Sequence, residues 1–307
     1  MFDPKLSIII LTRNGGKLFS DVLGRLFASD GVDKTEMIVI DSGSTDATLE
    51  YARRYSQIKI IQISPSEFGH GRTRNLGARI ATGDILVYLV QDASPVKPNF
   101  ITSLVSPLAD PLVAATYGRQ LPRNSANPVE RYFLSKTYPD FRQVRTDDGV
   151  DLAKMRSLFF SNVCSAIRRA VWEQIPFDEH LMMSEDQQWA KQVLHAKYRI
   201  IYEQEATVYH SHSYGLRQTF QRNFDSGFSM KHIVSDSFKE MAIYEIKHIG
   251  AGIKQLALWK KAYWIPYFFL QEAAKSLGFF VGRNARILPT CMKSTLSLHK
   301  YYWEQRL

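Results

Sequence analysis

Apolar and polar positions alternate between two periods along the first two thirds of the chain. Residues 6–11, Leu-Ser-Ile-Ile-Ile-Leu, form an almost unbroken apolar run, the pattern of a strand covered on both faces. Residues 18–27 repeat apolar side chains at helical spacing, and 37–40 is a second apolar run. The succession continues with a helix over 46–55, with Ser44 or Thr45 as its cap, and a strand over 58–63. A helix over 72–81, a strand over 85–90, a helix over 100–108 and a strand over 113–117 follow. This β-α-β-α order predicts an α/β fold with a mainly parallel sheet and helices on both faces. Residues 119–157 break the pattern. They are polar and turn-rich, with Pro122, Asn127, Pro128, Pro139 and Asp147-Asp148-Gly149, and read as an irregular connection beside a substrate site. A strand over 158–163, helices over 169–174 and 185–195, and strand segments over 198–203 and 207–210 complete this part. From Leu216 onward the pattern is helical and aromatic-rich.

Composition narrows the class. The chain has 307 residues, 45% hydrophobic and 22% charged, which is ordinary for a globular protein and excludes disorder, collagen and coiled coil. There are only two cysteines, Cys164 and Cys291, and no Cys-x-x-Cys, so a reducing compartment fits. No stretch reads as a signal peptide, and the most apolar late run, 262–270, ends at Gln271, Glu272 and Lys275, too short to span a bilayer.

Charge divides the chain. Residues 1–215 carry 25 basic and 24 acidic side chains, whereas 216–307 carry 14 and 6, so nearly all of the net +9 sits in the last third. The expected division is a catalytic domain over 1–215, with a nucleotide-binding half (1–118) and an acceptor-side half (119–215), followed by a basic helical module over 216–307.

Ligands of open parallel sheets bind at the carboxyl ends of strands. Thr12-Arg13-Asn14-Gly15, Asp41-Ser42-Gly43-Ser44-Thr45-Asp46 and Gln91-Asp92-Ala93-Ser94 follow three of the strands and predict one shared site. A dinucleotide-dependent dehydrogenase would need Gly-x-Gly-x-x-Gly after the first strand, and no such run follows it; a Gly-x-x-x-x-Gly-Lys-Ser/Thr loop is also missing. A nucleotidyltransferase would want a glycine- and lysine-rich loop near the amino terminus. A nucleic-acid-binding protein is opposed by the neutral strand-end region and by the lack of any helix-turn-helix or zinc-finger pattern.

Ser7-Ile-Ile-Ile-Leu-Thr-Arg-Asn14, Ile38-Val-Ile-Asp41-Ser-Gly-Ser-Thr-Asp46, Gly71-Arg-Thr-Arg-Asn75-Leu-Gly77, Tyr88-Leu-Val-Gln-Asp92 and Ser184-Glu-Asp186 occur in that order. Together, over about residues 5–215, they resemble the inverting, nucleotide-sugar-dependent glycosyltransferases of the GT-A fold, glycosyltransferase family 2. The Phe68-Gly-His-Gly-Arg-Thr-Arg-Asn75 and Gln91-Asp-Ala93 variants resemble its rhamnosyltransferase branch.

The resemblance implies roles. Asp41 would accept from the nucleotide base, although Asp-Ser-Gly-Ser is also good turn sequence. Thr12, Asn14, Ser42 and Gln91 would line the nucleotide-sugar pocket, with Asn14 equally suited to cap the next helix. Arg74 would sit near base and phosphates. Asp92 matches the last carboxylate of the family's Asp-x-Asp motif, which holds a divalent cation; Val90 replaces the first Asp. His210, with His212 on the same face by alternation, would add a ligand for Mn2+ or Mg2+. Asp186 is the expected catalytic base, with Glu185 as the alternative. Ser161, Asn162 and Trp189 are acceptor-side candidates, Trp189 by stacking on a sugar or as a core aromatic.

Residues 251–307 hold nine Lys or Arg, two Glu and eleven aromatic residues. This pattern suits either an anionic membrane surface or a helical pair packed on the catalytic domain. The expectation is a cytoplasmic enzyme, peripheral at the inner face of the membrane. It would transfer a sugar, best L-rhamnose from dTDP-L-rhamnose, to a surface polysaccharide or lipid-linked glycan.

Overall fold

The computed structural model describes residues 2–152, 154–236 and 238–304. Nine strands build one sheet: β1 Leu6–Thr12, β2 Thr35–Asp41, β3 Ile58–Gln62, β4 Ile85–Val90, β5 Ser94–Pro95, β6 Val113–Leu121, β7 Gln143–Arg145, β8 Cys164–Arg168 and β9 Arg199–Tyr209. Their order is β3-β2-β1-β4-β8-β6-β9-β5, with β7 also on β9. The half β3-β2-β1-β4 is parallel. Beyond it the sheet is mixed: β8 runs antiparallel to β4 and β6, β6 and β9 are parallel, and β5 and β7 are antiparallel to β9.

The apolar run of β1 is explained by two cores. Ile8 and Ile10 enter one cluster and Ile9 the other, so successive side chains bury on opposite faces. Helices cover both faces: α1 Gly16–Phe27, α2 Thr48–Arg53, α3 His70–Ile80, α4 Phe100–Val105, α5 Pro128–Thr137, α6 Arg169–Gln174 and α7 Glu185–His195. The carboxyl-terminal third adds α8 Leu216–Met230, α9 Phe238–Leu258, α10 Ile265–Arg283, α11 Thr290–Leu296 and α12 Lys300–Glu304.

Four departures from expectation have local causes. The stretch 158–163 is not a strand. Asn162 N–H donates to Asp186 (3.3 Å) and Val163 N–H to Ser161 Oγ (3.4 Å), so part of that backbone is spent on side chains and the ladder starts at Cys164. The helix expected from Asp46 starts at Thr48 without a Ser44 or Thr45 cap, because Ser44 Oγ donates to Asp41 and the Thr45 N–H to Asn14. Within 119–157 lies α5, with Pro128 in its first turn and Asn127 accepting from Glu130 N–H (2.9 Å). The two strand segments near 200 are one strand, β9, with a register shift against β6 at Gly118/Arg119.

The carboxyl-terminal helices pack onto the preceding part of the chain. α8 and α10 approach so closely that a methyl at Gly282 would overlap the Phe224 carbonyl, and one at Gly227 the Phe279 carbonyl. α9 is tied to α5, with Tyr132 Oη donating to the His248 carbonyl at 2.8 Å beside Leu256 and Phe268. Among the described residues no helix is long and apolar enough to cross a membrane. Residues 305–307 of the basic tail lie outside the described residues.

Candidate active site

The ends of β1, β2 and β4 meet, and their polar residues knit to one another. Gln91 Oε1 accepts from Thr12 Oγ1 (2.7 Å) and Arg13 N–H (2.8 Å), while its amide donates to the Arg13 carbonyl (3.2 Å). Asn14, at φ +51°, receives a hydrogen bond from Thr45 N–H (2.8 Å) and donates its own N–H to Ser44 Oγ (2.8 Å). It therefore bridges two loops and does not cap α1. Asp41 is fully buried and accepts from Gly43 N–H (3.1 Å), Ser44 N–H (2.9 Å) and Ser44 Oγ (2.5 Å). Ser42 donates both N–H and Oγ to the Thr12 carbonyl. Thr12, Asn14, Asp41, Ser42 and Gln91 thus shape the loops beside the main cavity, whose wall is formed there by Val90 and Asp92.

That cavity encloses about 550 Å³. Its lining includes Asp92, His210 and His212, whose ligand atoms all lie within 4.8 Å of one another. The strand register explains the meeting. β5 pairs antiparallel with β9, Ser94 opposite Tyr209, and extending that register sets Asp92 opposite Ser211, between the two histidines. Their Nε2 atoms are 3.0 Å apart, and the Asp92 oxygens lie 3.6 Å from His210 and 3.5 Å from His212.

Gln120 sets the tautomer. Its amide Nε2 donates to Tyr138 Oη (2.5 Å) and Ser161 Oγ (3.2 Å), which leaves Oε1 to accept from His210 Nδ1–H at 2.8 Å. The His210 Nε2 lone pair then faces Asp92 and His212. Burial, followed by the charges of His212, Arg222 and Arg123, holds the His210 imidazole well below its ordinary pKa; burial also lowers that of His212. Neutral imidazoles with one carboxylate are a donor set that fits a divalent transition cation.

The same cavity is lined by Glu185 and Asp186, at the start of α7. Ser184 at φ +66° turns the chain into the helix and presents both carboxylates. They are not equivalent. Glu185 is buried against Arg74, Nη1 to Oε1 2.5 Å. Asp186 has no ion-pair partner at this range among the described residues and accepts from Asn162 N–H (3.3 Å) and Gln187 N–H (2.9 Å). Burial, then the adjacent Glu185, pushes Asp186 up to about 7, with Arg74 opposing. A carboxyl poised there takes a proton from a hydroxyl near neutral pH.

Ser161 lines the cavity, whereas Asn162 is buried and fixed through Ser165. Trp189 is a correction. It is fully buried against Phe160 and Phe177 and donates Nε1–H to the Ile175 carbonyl (2.6 Å), so it is a core residue, not a sugar platform. Asp186 lines the cavity from the same helix, and Trp189, about 60° round the axis from it, lies on the core side of that edge.

Sequence reading missed the cavity's far wall. Tyr138 belongs to the stretch read as irregular, and Gln120 sits at the end of β6, where nothing local marks it. Arg222, Gln271 and Lys275 line the cavity from the carboxyl-terminal third, which sequence had set apart, and Tyr214 lines it just before that third begins.

Comparison with known proteins identifies the family and the fold. Residues 7–175 match the model described as "Glycosyl transferase family 2". The O-antigen chain rhamnosyltransferase RfbN of Salmonella typhimurium is 34% identical over 97% of this chain and 96% of its own length. WbaN of Salmonella anatum, another O-antigen chain rhamnosyltransferase, is also 34% identical, over 98% and 96%. Among solved structures, the Pyrobaculum calidifontis mannosyltransferase PcManGT, in complex with GDP-Man and Mn2+, superposes with a TM-score of 0.58 at 20% identity, covering 99% of this chain and 84% of that one. S. aureus TarS 1–349 in complex with UDP-GlcNAc gives 0.55 at 16% identity, covering 92% and 91%. At these identities the two structures bear on the fold, which is the GT-A fold.

Proposed function

This chain belongs to glycosyl transferase family 2, and we propose that it transfers L-rhamnose, with inversion, from dTDP-L-rhamnose to a hydroxyl of a surface polysaccharide or lipid-linked glycan. Its broad activity as a glycosyltransferase follows from the family; donor, acceptor and residue roles are the proposal. The observation that carries it is one cavity lined by both a carboxylate–histidine cluster and a raised carboxyl.

The residues divide the work. Thr12, Asn14, Asp41, Ser42 and Gln91 hold the loops that cradle the nucleotide, with Asp41 nearest the base. Asp92, His210 and His212 would hold Mn2+; two imidazoles favour it over Mg2+, which prefers oxygen. A cation held there neutralises charge on the departing diphosphate. Asp186 takes the proton of the acceptor hydroxyl as that oxygen attacks the anomeric carbon from the face opposite the diphosphate. Glu185, clamped by Arg74, keeps the Asp186 carboxyl protonated to higher pH than it would be alone and is a positioning residue. Ser161 contacts acceptor hydroxyls. We place the work at the cytoplasmic face of a membrane, with 1–215 supplying the chemistry and 216–307 roofing the cavity.

A panel of nucleotide sugars assayed for hydrolysis with and without Mn2+ tests this reading. Turnover of dTDP-L-rhamnose, stimulated by Mn2+, is expected. Turnover of a different sugar alone would overturn the donor; turnover of none would overturn the reading of the cavity.

A further inference from the structure

Helix α10 has two faces with different work. Its inner face lines the catalytic cavity: Gln271 receives a hydrogen bond from Thr219 Oγ1 (2.8 Å) and donates to the Tyr214 carbonyl (3.1 Å). Lys275 stands 3.0 Å from Glu272 and 3.5 Å from the centre of the Phe133 ring. Its outer face is apolar and exposed. Pro266, Phe269, Leu270, Ala273 and Leu277 follow helical spacing along one stripe, with Phe269 46%, Leu270 54% and Leu277 57% exposed; Tyr263 before the helix and Ile287 after it are also exposed. The glycine-mediated contact with α8 fixes the helix about its own axis, so these side chains cannot rotate inward.

Charge surrounds the stripe with one sign. Lys254, Lys260 and Lys261 are exposed at one end and Arg286 at the other; between residues 246 and 304, Glu304 is the one exposed acidic side chain. An apolar stripe between basic ends, on a helix unable to cross a bilayer, is complementary to an anionic lipid surface on which it lies flat.

We propose that the outer face of α10, carrying Phe269, Leu270 and Leu277 between Lys260–Lys261 and Arg286, docks into the interface of an anionic bilayer. The catalytic cavity is then held about one helix diameter, roughly 10–12 Å, from the headgroups. Docking needs only this face; its use, bringing a lipid-linked acceptor to the cavity, rests on the glycosyltransferase reading above.

Flotation of the full chain with phosphatidylcholine vesicles, with and without phosphatidylglycerol, tests the proposal. The native chain should float with the anionic vesicles and less so in high salt. The pair Phe269→Ser with Leu277→Ser, and separately Lys260→Gln with Lys261→Gln, should each reduce partitioning at least about tenfold while dTDP-L-rhamnose hydrolysis in solution is unchanged. Equal flotation without phosphatidylglycerol, or undiminished flotation of both variants, overturns it. So does light scattering that shows the serine variant dissolving a dimer while vesicle binding persists, because a second copy then covers the stripe. Flotation as expected with no hydrolysis by the native chain would leave docking standing and remove the reading of the cavity.

Discussion

Two neighbouring carboxylates stand in different surroundings because, of the two, only Glu185 is ion-paired among the described residues. Arg74 holds Glu185, and Asp186 is left buried with its carboxyl raised to about 7. Between the ordinary value of 3.8 and about 7 the native chain keeps a proton that the unfolded chain has released, so stability falls as pH rises through that window. Asp186→Asn should therefore raise the melting temperature at pH 8, by about 1–3 kcal/mol of stability, and lose that advantage near pH 4. Thermal denaturation at the two pH values checks the sign. Glu185→Gln removes a charge that raises Asp186 and frees Arg74 to lower it, so the acidic limb of the hydrolysis pH profile should move to lower pH. Gln120 acts one bond further out. Gln120→Ala should weaken Mn2+ binding about 10- to 100-fold, read by Mn2+ electron paramagnetic resonance, because His210 then loses the partner that fixes its tautomer. Asp186, Asp92 and His210 were legible as residues that follow or precede elements in a matching order. Gln120 was not, since its meaning depends on Tyr138 and Ser161 brought near by the fold. Of the two readings open for Trp189, the core aromatic is the one the structure shows, because its ring packs on Phe160 and Phe177.

At the level of elements, what was legible is what sits between two cores. β1, β2 and β4 carry apolar runs because both their faces are buried, and that signal survives without any tertiary information, whereas the edge strand β3 is partly exposed. The acceptor side was harder. The stretch 158–163 has strand composition but gives backbone donors to Asp186 and Ser161, and α5 hides behind turn residues that are its own cap and first turn. Asp92 is brought beside the histidines by the pairing of a two-residue strand, β5, with the end of β9, and that strand is too short for any periodicity to reveal. The contact between α8 and α10 carries its own prediction. Gly282→Val places side-chain atoms against the Phe224 backbone and must spread the two helices. Protease susceptibility of the carboxyl-terminal third should increase, and hydrolysis should fall, since Arg222, Gln271 and Lys275 leave the cavity wall. Unchanged proteolysis would mean that the packing is not tight there.

Over the whole molecule, the excess positive charge belongs to a roof over the site. The catalytic region is close to neutral, and the basic third both closes the cavity and carries an exposed apolar stripe. Asp92, the histidine pair, Asp186 and the lining helices α8 and α10 come from separate parts of the chain, and the fold brings them to one cavity, with the loops after β1 and β2 beside it. The claim on which the rest depends is that Asp186 accepts the proton in the transfer step. The most direct measurement is the pH dependence of dTDP-L-rhamnose turnover by the native chain and by Asp186→Asn at saturating Mn2+. The native rate should rise with pH through about 7, and the variant should be slower by about a hundred- to ten-thousandfold, without that rise. A variant that keeps the native rate and the native profile would contradict the account.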